Sequence, residues 1–359
     1  MVEIDSETSV PSPISNPDLF DHSVAENEFL SSFNSGRLAH AWLITGPKGI
    51  GKATLSHRIA RFILTRNYSF DNSSTLFKDN FERGDPQSLA VDITNPVCRR
   101  IISGGHPDFL NIERSVDDKT GKLRKEITID AVRDISLFLT KTPAEGGWRV
   151  IIIDNVDELN FNAANAVLKV LEEPPKQALI LLVSNNPARL LPTIRSRCRR
   201  LSLNLLSNKT IKELLIQNNA KISPENLDQL VDMASGSFGH ALELSKEGGF
   251  EIYREVNDIL NMMPEIDLTR IHQLGDKLNR DKTGKVSEHT FDLINHWLVK
   301  VIKDLAKSKI SSLDGWFEIW ENTGDLFNKT KRLNLDTKQT ILSTLIAIKN
   351  ITGQLEAKQ

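Results

Sequence analysis

Two cysteines in 359 residues, Cys98 and Cys198, exclude a disulfide framework and with it the small stapled folds of secreted proteins. Charge of one sign is also missing: 45 Lys and Arg stand against 47 Asp and Glu, a formal net charge of −2. Without a global basic field, any contact with nucleic acid has to come from a local patch. No apolar run reaches the roughly 18 residues of a membrane span. The stretch Met1–Pro17 is polar and acidic, where a secretory leader would need an apolar segment. A cytoplasmic setting is the expectation. Apolar residues are not in deficit: at 39% hydrophobic and 26% charged, the chain can build two or three domains, each with its own core.

The first half alternates between strand and helix patterns. Arg37 to Thr45 ends in a short apolar run that reads as a buried strand. The turn Gly46-Pro47-Lys48-Gly49-Ile50-Gly51-Lys52-Ala53 follows, and then Leu55, Ile59, Phe62 and Ile63 fall at helical spacing, to about Leu64. From Asn67 to about Gly105 the chain is polar and irregular and reads as an insertion. Strands are expected at Phe109–Glu113, Trp148–Asp154 and Ala178–Ser184, with a turn at Asp117–Gly121. A helix is expected over Ile129–Thr140, capped at Asp130. A second opens at Asn160, carries Ala164, Val167, Leu168 and Leu171 on one face, and stops at Pro174-Pro175. This alternation predicts an α/β layer sandwich with a parallel sheet and helices on both faces. After Leu206 the β signals fade. Residues 209–247 read as three short helices broken near Pro224 and Gly236. From Ile252 onward the pattern is helical, with Trp297, Trp316, Phe317 and Trp320 as core anchors between helices.

Three places carry chemistry. Strand, glycine-rich turn and helix in that order form a phosphate loop, whose backbone N–H groups face phosphate oxygens. Gly46, Gly49 and Gly51 shape it, and Lys52 would reach the β- and γ-phosphates. The next residue normally gives a hydroxyl to Mg²⁺ but is Ala53, and Thr54 is turned about 100° away on the helix. The second place is Asp154, the acid closing an apolar strand, followed by Asn155, an amide where a general base would be wanted. Asp157 and Glu158 lie nearby but read as caps. The third is Arg197, within Ala188–Arg200. It is either a basic surface residue or an arginine that stabilises a transferring γ-phosphate, an effect of about 10³–10⁵ in rate, or about 4–7 kcal/mol.

Ser196-Arg197-Cys198, the helix Asn162–Glu173 running into Pro174-Pro175, Gly36–Leu43 and His106-Pro107-Asp108-Phe109 resemble the bacterial clamp-loader subunits of the AAA+ class. The specific motifs lie within about 17–205; the rest agrees only in being helical. The resemblance implies a lead-in over 1–16, an AAA+ P-loop domain over 17–205, a small helical lid over 206–250 and an all-α collar over 251–359. Active relatives end the strand that here closes at Asp154 in Asp-Glu and place a nucleotide-sensing arginine where this chain has Gly239 beside His240. Ser184 and Asn185 resemble the polar position that senses nucleotide after the fourth strand. An impaired site beside an intact Ser-Arg-Cys box resembles the delta-prime branch of DNA polymerase III. That branch implies a stator, not catalytic alone, that supplies Arg197 as an arginine finger in trans to the ATP and Mg²⁺ of a neighbouring tau/gamma subunit.

Implied partners are tau/gamma and delta subunits in a hetero-oligomer, the sliding clamp (beta) and primed template DNA, in DNA replication; no membrane is involved. No cofactor is required by this chain alone, and its own loop, with Gly46, Gly49, Gly51, Lys52 and the remnant Asp154, retains at most weak nucleotide binding. Relatives often carry a four-cysteine zinc module in the insertion. Here only Cys98 remains, and His106 still leaves it two ligands short, so no zinc is expected. Arg199 and Arg200 could touch DNA or flank the finger. Two competing readings make different demands on the sequence. An autonomous P-loop ATPase, tau/gamma-like or a branch-migration helicase, wants Thr or Ser at 53 and Glu at 155. A small-molecule P-loop kinase wants an arginine-rich lid and leaves the Ser-Arg-Cys box unexplained.

Overall fold

The computed structural model describes residues 10–71, 85–117, 120–145, 147–218, 223–245, 249–278, 285–307, 313–333 and 335–356. The chain divides into two compact units, Met1–Leu242 and Glu243–Gln359.

The first unit is organised by a five-stranded, all-parallel sheet: β1 (Ala41–Thr45), β2 (Phe109–Ile112), β3 (Arg149–Ile153), β4 (Ala178–Ser184) and β5 (Arg199–Ser202), in the spatial order β2-β3-β4-β1-β5. Among the described residues six helices cover it: α1 (Ser23–Asn34), α2 (Lys52–Asp71), α3 (Pro96–Ile102), α4 (Ile129–Thr140), α5 (Phe161–Glu172) and α6 (Pro192–Arg195). β1, β3 and β4 are buried along their whole length, which is why their sequences read as continuous apolar runs rather than alternating ones. Their side chains nevertheless divide by parity. Trp42, Ile44, Val150, Ile152, Leu179 and Leu181 face α1, α2 and α3. Ala41, Leu43, Ile151, Ile153, Ile180 and Leu182 face α4, α5 and α6.

Several elements differ from the sequence expectation. α2 runs on past Leu64 to Asp71. The polar stretch read as an irregular insertion contains α3, started by the Asn95 side chain accepting from the Val97 N–H at 2.9 Å; residues 72–84 of it lie outside the described residues. So does part of the turn expected at 117–121. Thr128 occupies the cap position of α4, and Asp130 lies in its first turn. β5 was not expected, because a four-residue edge strand with only Leu201 buried carries almost no apolar signal. Residues 1–9 of the expected lead-in lie outside the described residues. From Val10 on the segment is strapped to α2: Arg61 donates to the carbonyls of Ile14 (2.8 Å) and Asn16 (2.6 Å), and Arg58 donates to that of Pro17 and pairs with Glu26.

Three helices follow the sheet, α7 (Asn208–Gln217), α8 (Pro224–Ala234) and α9 (Phe238–Ser245). The second unit contains α10 (Gly249–Asn261), α11 (Leu268–Leu278), α12 (Lys285–Lys307), α13 (Asp314–Leu333) and α14 (Thr337–Glu356). Its core includes Ile271, Leu274, Ile294, Leu298, Ile341 and Leu345. Trp297 and Trp316 meet with ring centroids 6.1 Å apart, as core anchors should. Phe317 and Trp320 do not: they are 45% and 38% exposed. α13 turns Trp316, Ile319 and Thr323 inward, an i, i+3, i+7 stripe that leaves the neighbouring positions facing out. Among the described residues, no helix is long and apolar enough to cross a membrane.

Candidate nucleotide site and arginine face

The phosphate loop leaves the C-terminal end of β1 at Thr45 and enters α2 at Lys52. Lys52 is 4% exposed, and its Nζ donates to the Pro47 carbonyl within the same loop. Burial pushes its pKa down to about 8, while Asp154 and Asp157 pull it upward. Asp154, at the end of β3, is raised by burial and by Glu113 and lowered by Lys52. The fold thus brings Lys52 and Asp154 into one electrostatic environment, as the sequence pattern required. Thr54 lines a cleft of about 170 Å³ together with Val10, Leu19, Ile50 and Phe238.

Around this pair several polar groups are held from within the chain, while the Asn155 amide oxygen is buried without a hydrogen-bond partner among the described residues. Asn155 sits in the left-handed region at φ 66°. The Asp157 carboxylate accepts from Ser184 Oγ (2.7 Å) and from the backbone N–H groups of Asn185 (2.6 Å) and Asn186 (3.0 Å). Glu158 pairs with Arg114 at 2.7 Å. Both carboxylates are thus engaged by neighbours within the chain. Ser184 and Asn185 serve as the holders of Asp157.

α9 presses its first turn directly on the loop. The Gly239 N–H donates to the Gly49 carbonyl at 2.9 Å, and Ser237 Oγ donates to the Lys48 carbonyl at 2.8 Å. A Cβ on Gly239 would come within 2.7 Å of the Gly49 Cα. Gly49 has φ +78° and has its own close approach: a Cβ there would meet Ser237 Oγ at 2.6 Å. The sequence located Gly239 as a missing arginine but not this backbone contact, for which paired glycines far apart in the chain are the only trace.

Arg197 lies at the other end of the parallel strands. β1 and β5 are parallel, with Trp42 opposite Arg199 and Thr45 opposite Ser202. Arg197 therefore precedes the N-terminal end of β5, whereas the loop follows the C-terminal end of β1. The offset is about 20 Å along the strands. Arg197 Nη1 donates to the Thr193 carbonyl at 3.0 Å, and Nη2 pairs with Glu172 at 2.8 Å. Cys198 anchors the turn in the α5–α6 core, and burial pushes its thiol up to about 12, so it is a packing residue. Arg199 lies over the Trp42 ring at 4.8 Å and reaches Ser32 and Glu28 on α1. Arg200 Nε donates to Thr45 Oγ1 at 3.3 Å. In the former insertion, Cys98 is buried 4.0 Å from Thr65 Oγ1. His106 Nδ1 accepts from the Asp108 N–H at 3.1 Å, and its Nε2 is 3.4 Å from Glu145.

A family profile described as "DNA polymerase III, delta subunit" matches residues 22–207, more than half of the 359. The chain belongs to this family. The matched region of this DNA polymerase III delta-subunit family member contains the whole sheet, the phosphate loop and Arg197. The chain is 32% identical over 210 residues to DNA polymerase III subunit delta' of Pseudomonas aeruginosa, covering 58% of this chain and 57% of that one. It is 32% identical over 220 residues to subunit delta' of Bacillus subtilis, covering 61% and 58%. It is 30% identical over 218 residues to subunit gamma of Buchnera aphidicola, covering 60% and 53%. The match thus spans a little over half the length of these curated relatives. Among solved structures, a DNA polymerase III gamma subunit-related protein of Thermotoga maritima aligns at 20% identity over 90% of this chain and 99% of its own, with a TM-score of 0.40.

Proposed function

We propose that this chain is a clamp-loader stator of the delta-prime kind. In this reading it does little with its own nucleotide site and supplies Arg197 in trans to the ATP and Mg²⁺ of a neighbouring tau/gamma subunit. One observation carries the proposal: Arg197 and the chain's own phosphate loop stand at opposite ends of the parallel strands β5 and β1, so the arginine can serve only a phosphate held by another molecule. The AAA+ domain spans 17–205, the lid 206–250 and the collar 251–359, the collar joining tau/gamma and delta subunits. The assembly opens the sliding clamp and closes it on primed DNA, in the cytoplasm. The loop of this chain supports at most weak nucleotide binding: Ala53 offers no hydroxyl to Mg²⁺, and Lys52 already donates to Pro47. No zinc belongs to the proposal; elemental analysis of the purified chain should find less than stoichiometric metal, and stoichiometric zinc would contradict it.

The chemistry asked of Arg197 is electrostatic. A guanidinium against a γ-phosphate meets charge that spreads over its oxygens in the transition state. Turnover therefore depends on it more than nucleotide affinity does. The test is DNA-stimulated ATPase and clamp loading by complexes reconstituted with wild-type or Arg197→Ala chain. A fall in turnover with unchanged assembly is expected, and equal rates would leave Arg197 a surface residue.

A further inference from the structure

Glu172 is the last residue of α5, where the helix dipole disfavours a negative charge. It stands there paired with Arg197 at 2.8 Å, the two side chains 50% and 36% exposed. A pair this exposed contributes little to stability, and α5 is already held by Val167 and Leu171 in the core. The pair does have a geometric effect. Arginine side chains adopt many rotamers, but here one nitrogen is fixed by a carboxylate on α5 and another by the Thr193 carbonyl on α6. Nε–H and the second hydrogens of the two Nη groups have no partner among the described residues, which leaves them for an acceptor from outside.

We propose that Glu172 is a positioning residue for Arg197: it holds the guanidinium in the orientation in which its remaining donors meet the neighbouring subunit's γ-phosphate. The proposal rests on the reading of Arg197 as a finger in trans. Glu172 touches no nucleotide. It reduces the number of orientations Arg197 must give up when the transition state forms. The pair is not a latch that assembly has to break, because two fixed bonds still leave donors open.

The test uses clamp-loader complexes reconstituted with the full chain, with assembly checked by gel filtration and ATPase measured as kcat and KM. Glu172→Ala should lower kcat about 10- to 100-fold while leaving KM for ATP unchanged. Glu172→Gln, whose amide oxygen can accept the same bond, should recover most of that loss. Glu173→Ala, which removes the adjacent charge, should behave as wild type. In the Arg197→Ala background, Glu172→Ala should add nothing, because both act through one guanidinium. A loss in Arg197→Ala with none in Glu172→Ala overturns the positioning role alone, as does a rise in kcat or an equal loss in the Arg197→Ala background. Wild-type rates in Arg197→Ala overturn the finger reading and the positioning role with it.

Discussion

At the C-terminal edge of the sheet, Lys52 turns back onto Pro47, Asp157 holds the end of β4 and the loop carbonyls accept from α9. At the N-terminal edge, Arg197 is oriented by two neighbours yet keeps donors in reserve. In the first region Lys52, Asp157 and the loop carbonyls of Lys48 and Gly49 find partners within the chain, although the Asn155 amide oxygen does not. The second leaves part of its donors for something outside. This contrast supports the proposed division of roles: Lys52 and Asp157 are engaged within the chain, whereas Arg197 keeps donors for a group from outside.

The strongest way to break this contrast is to strike both edges in the same complex. Arg197→Ala should cost about 10³-fold or more in turnover at the adjacent ATP site, whereas Lys52→Met should leave the rate of the assembled complex near wild type. A comparable loss from both, in steady-state ATPase, would mean that the two edges are equally active.

The titration of Lys52 sharpens the picture of a closed loop. Its folded-state pKa of about 8 lies below the ordinary 10.5, so between these values the unfolded chain holds the proton and the folded chain does not. Stability should therefore rise with pH across that window, by up to about 3 kcal/mol. Chemical denaturation of wild type and Lys52→Met at pH 7.5 and 10 reads the difference; parallel curves would show a lysine that is solvated rather than buried.

Gly239→Ala should destabilise the first unit by about 1–3 kcal/mol, since its Cβ meets backbone that has no slack. Thermal melting should fall by several degrees, and an unchanged transition would show that α9 yields freely. The smallest effect is expected from restoring the missing groups. Ala53→Thr with Asn155→Glu should leave turnover by the isolated chain below about 1 s⁻¹, measured by phosphate release, because the rest of the site stays occupied by its own neighbours.

The central strands and the phosphate loop could be read from the sequence because complete burial imposes long apolar runs and glycines mark the turn. The alternation of β1, β3 and β4 with α2, α4 and α5 followed directly. β5 could not be read, since an edge strand with one inward residue resembles a polar loop. α3 was concealed by the polar residues around it, although Asn95 ahead of Pro96 is a cap signal that could have found it. Phe317 and Trp320 read as core by size and apolarity alone, but the inward stripe of Trp316, Ile319 and Thr323 leaves both facing out. In the site, Lys52, Asp154 and Arg197 were visible as residue types at fixed spacings. The partners of Asp157 and Arg197 were not, because hydrogen bonds across the sheet have no sequence period.

The meeting of Gly49 and Gly239 bears on how this chain could change over generations. With no room for even a methyl group between the two backbones, a longer side chain cannot enter at 239 by one substitution while α9 lies on the loop. α9 would first have to lift from the loop and give up the bonds from Gly239 and Ser237 to its carbonyls. On the function proposed above, a hydroxyl at 53, a carboxylate at 155 or an arginine at 239 would each be without benefit until the helix moves, and the helix has no reason to move until they are present. On the function proposed above, the contact works as a ratchet: while α9 rests on the loop, each single step toward a working nucleotide site is blocked.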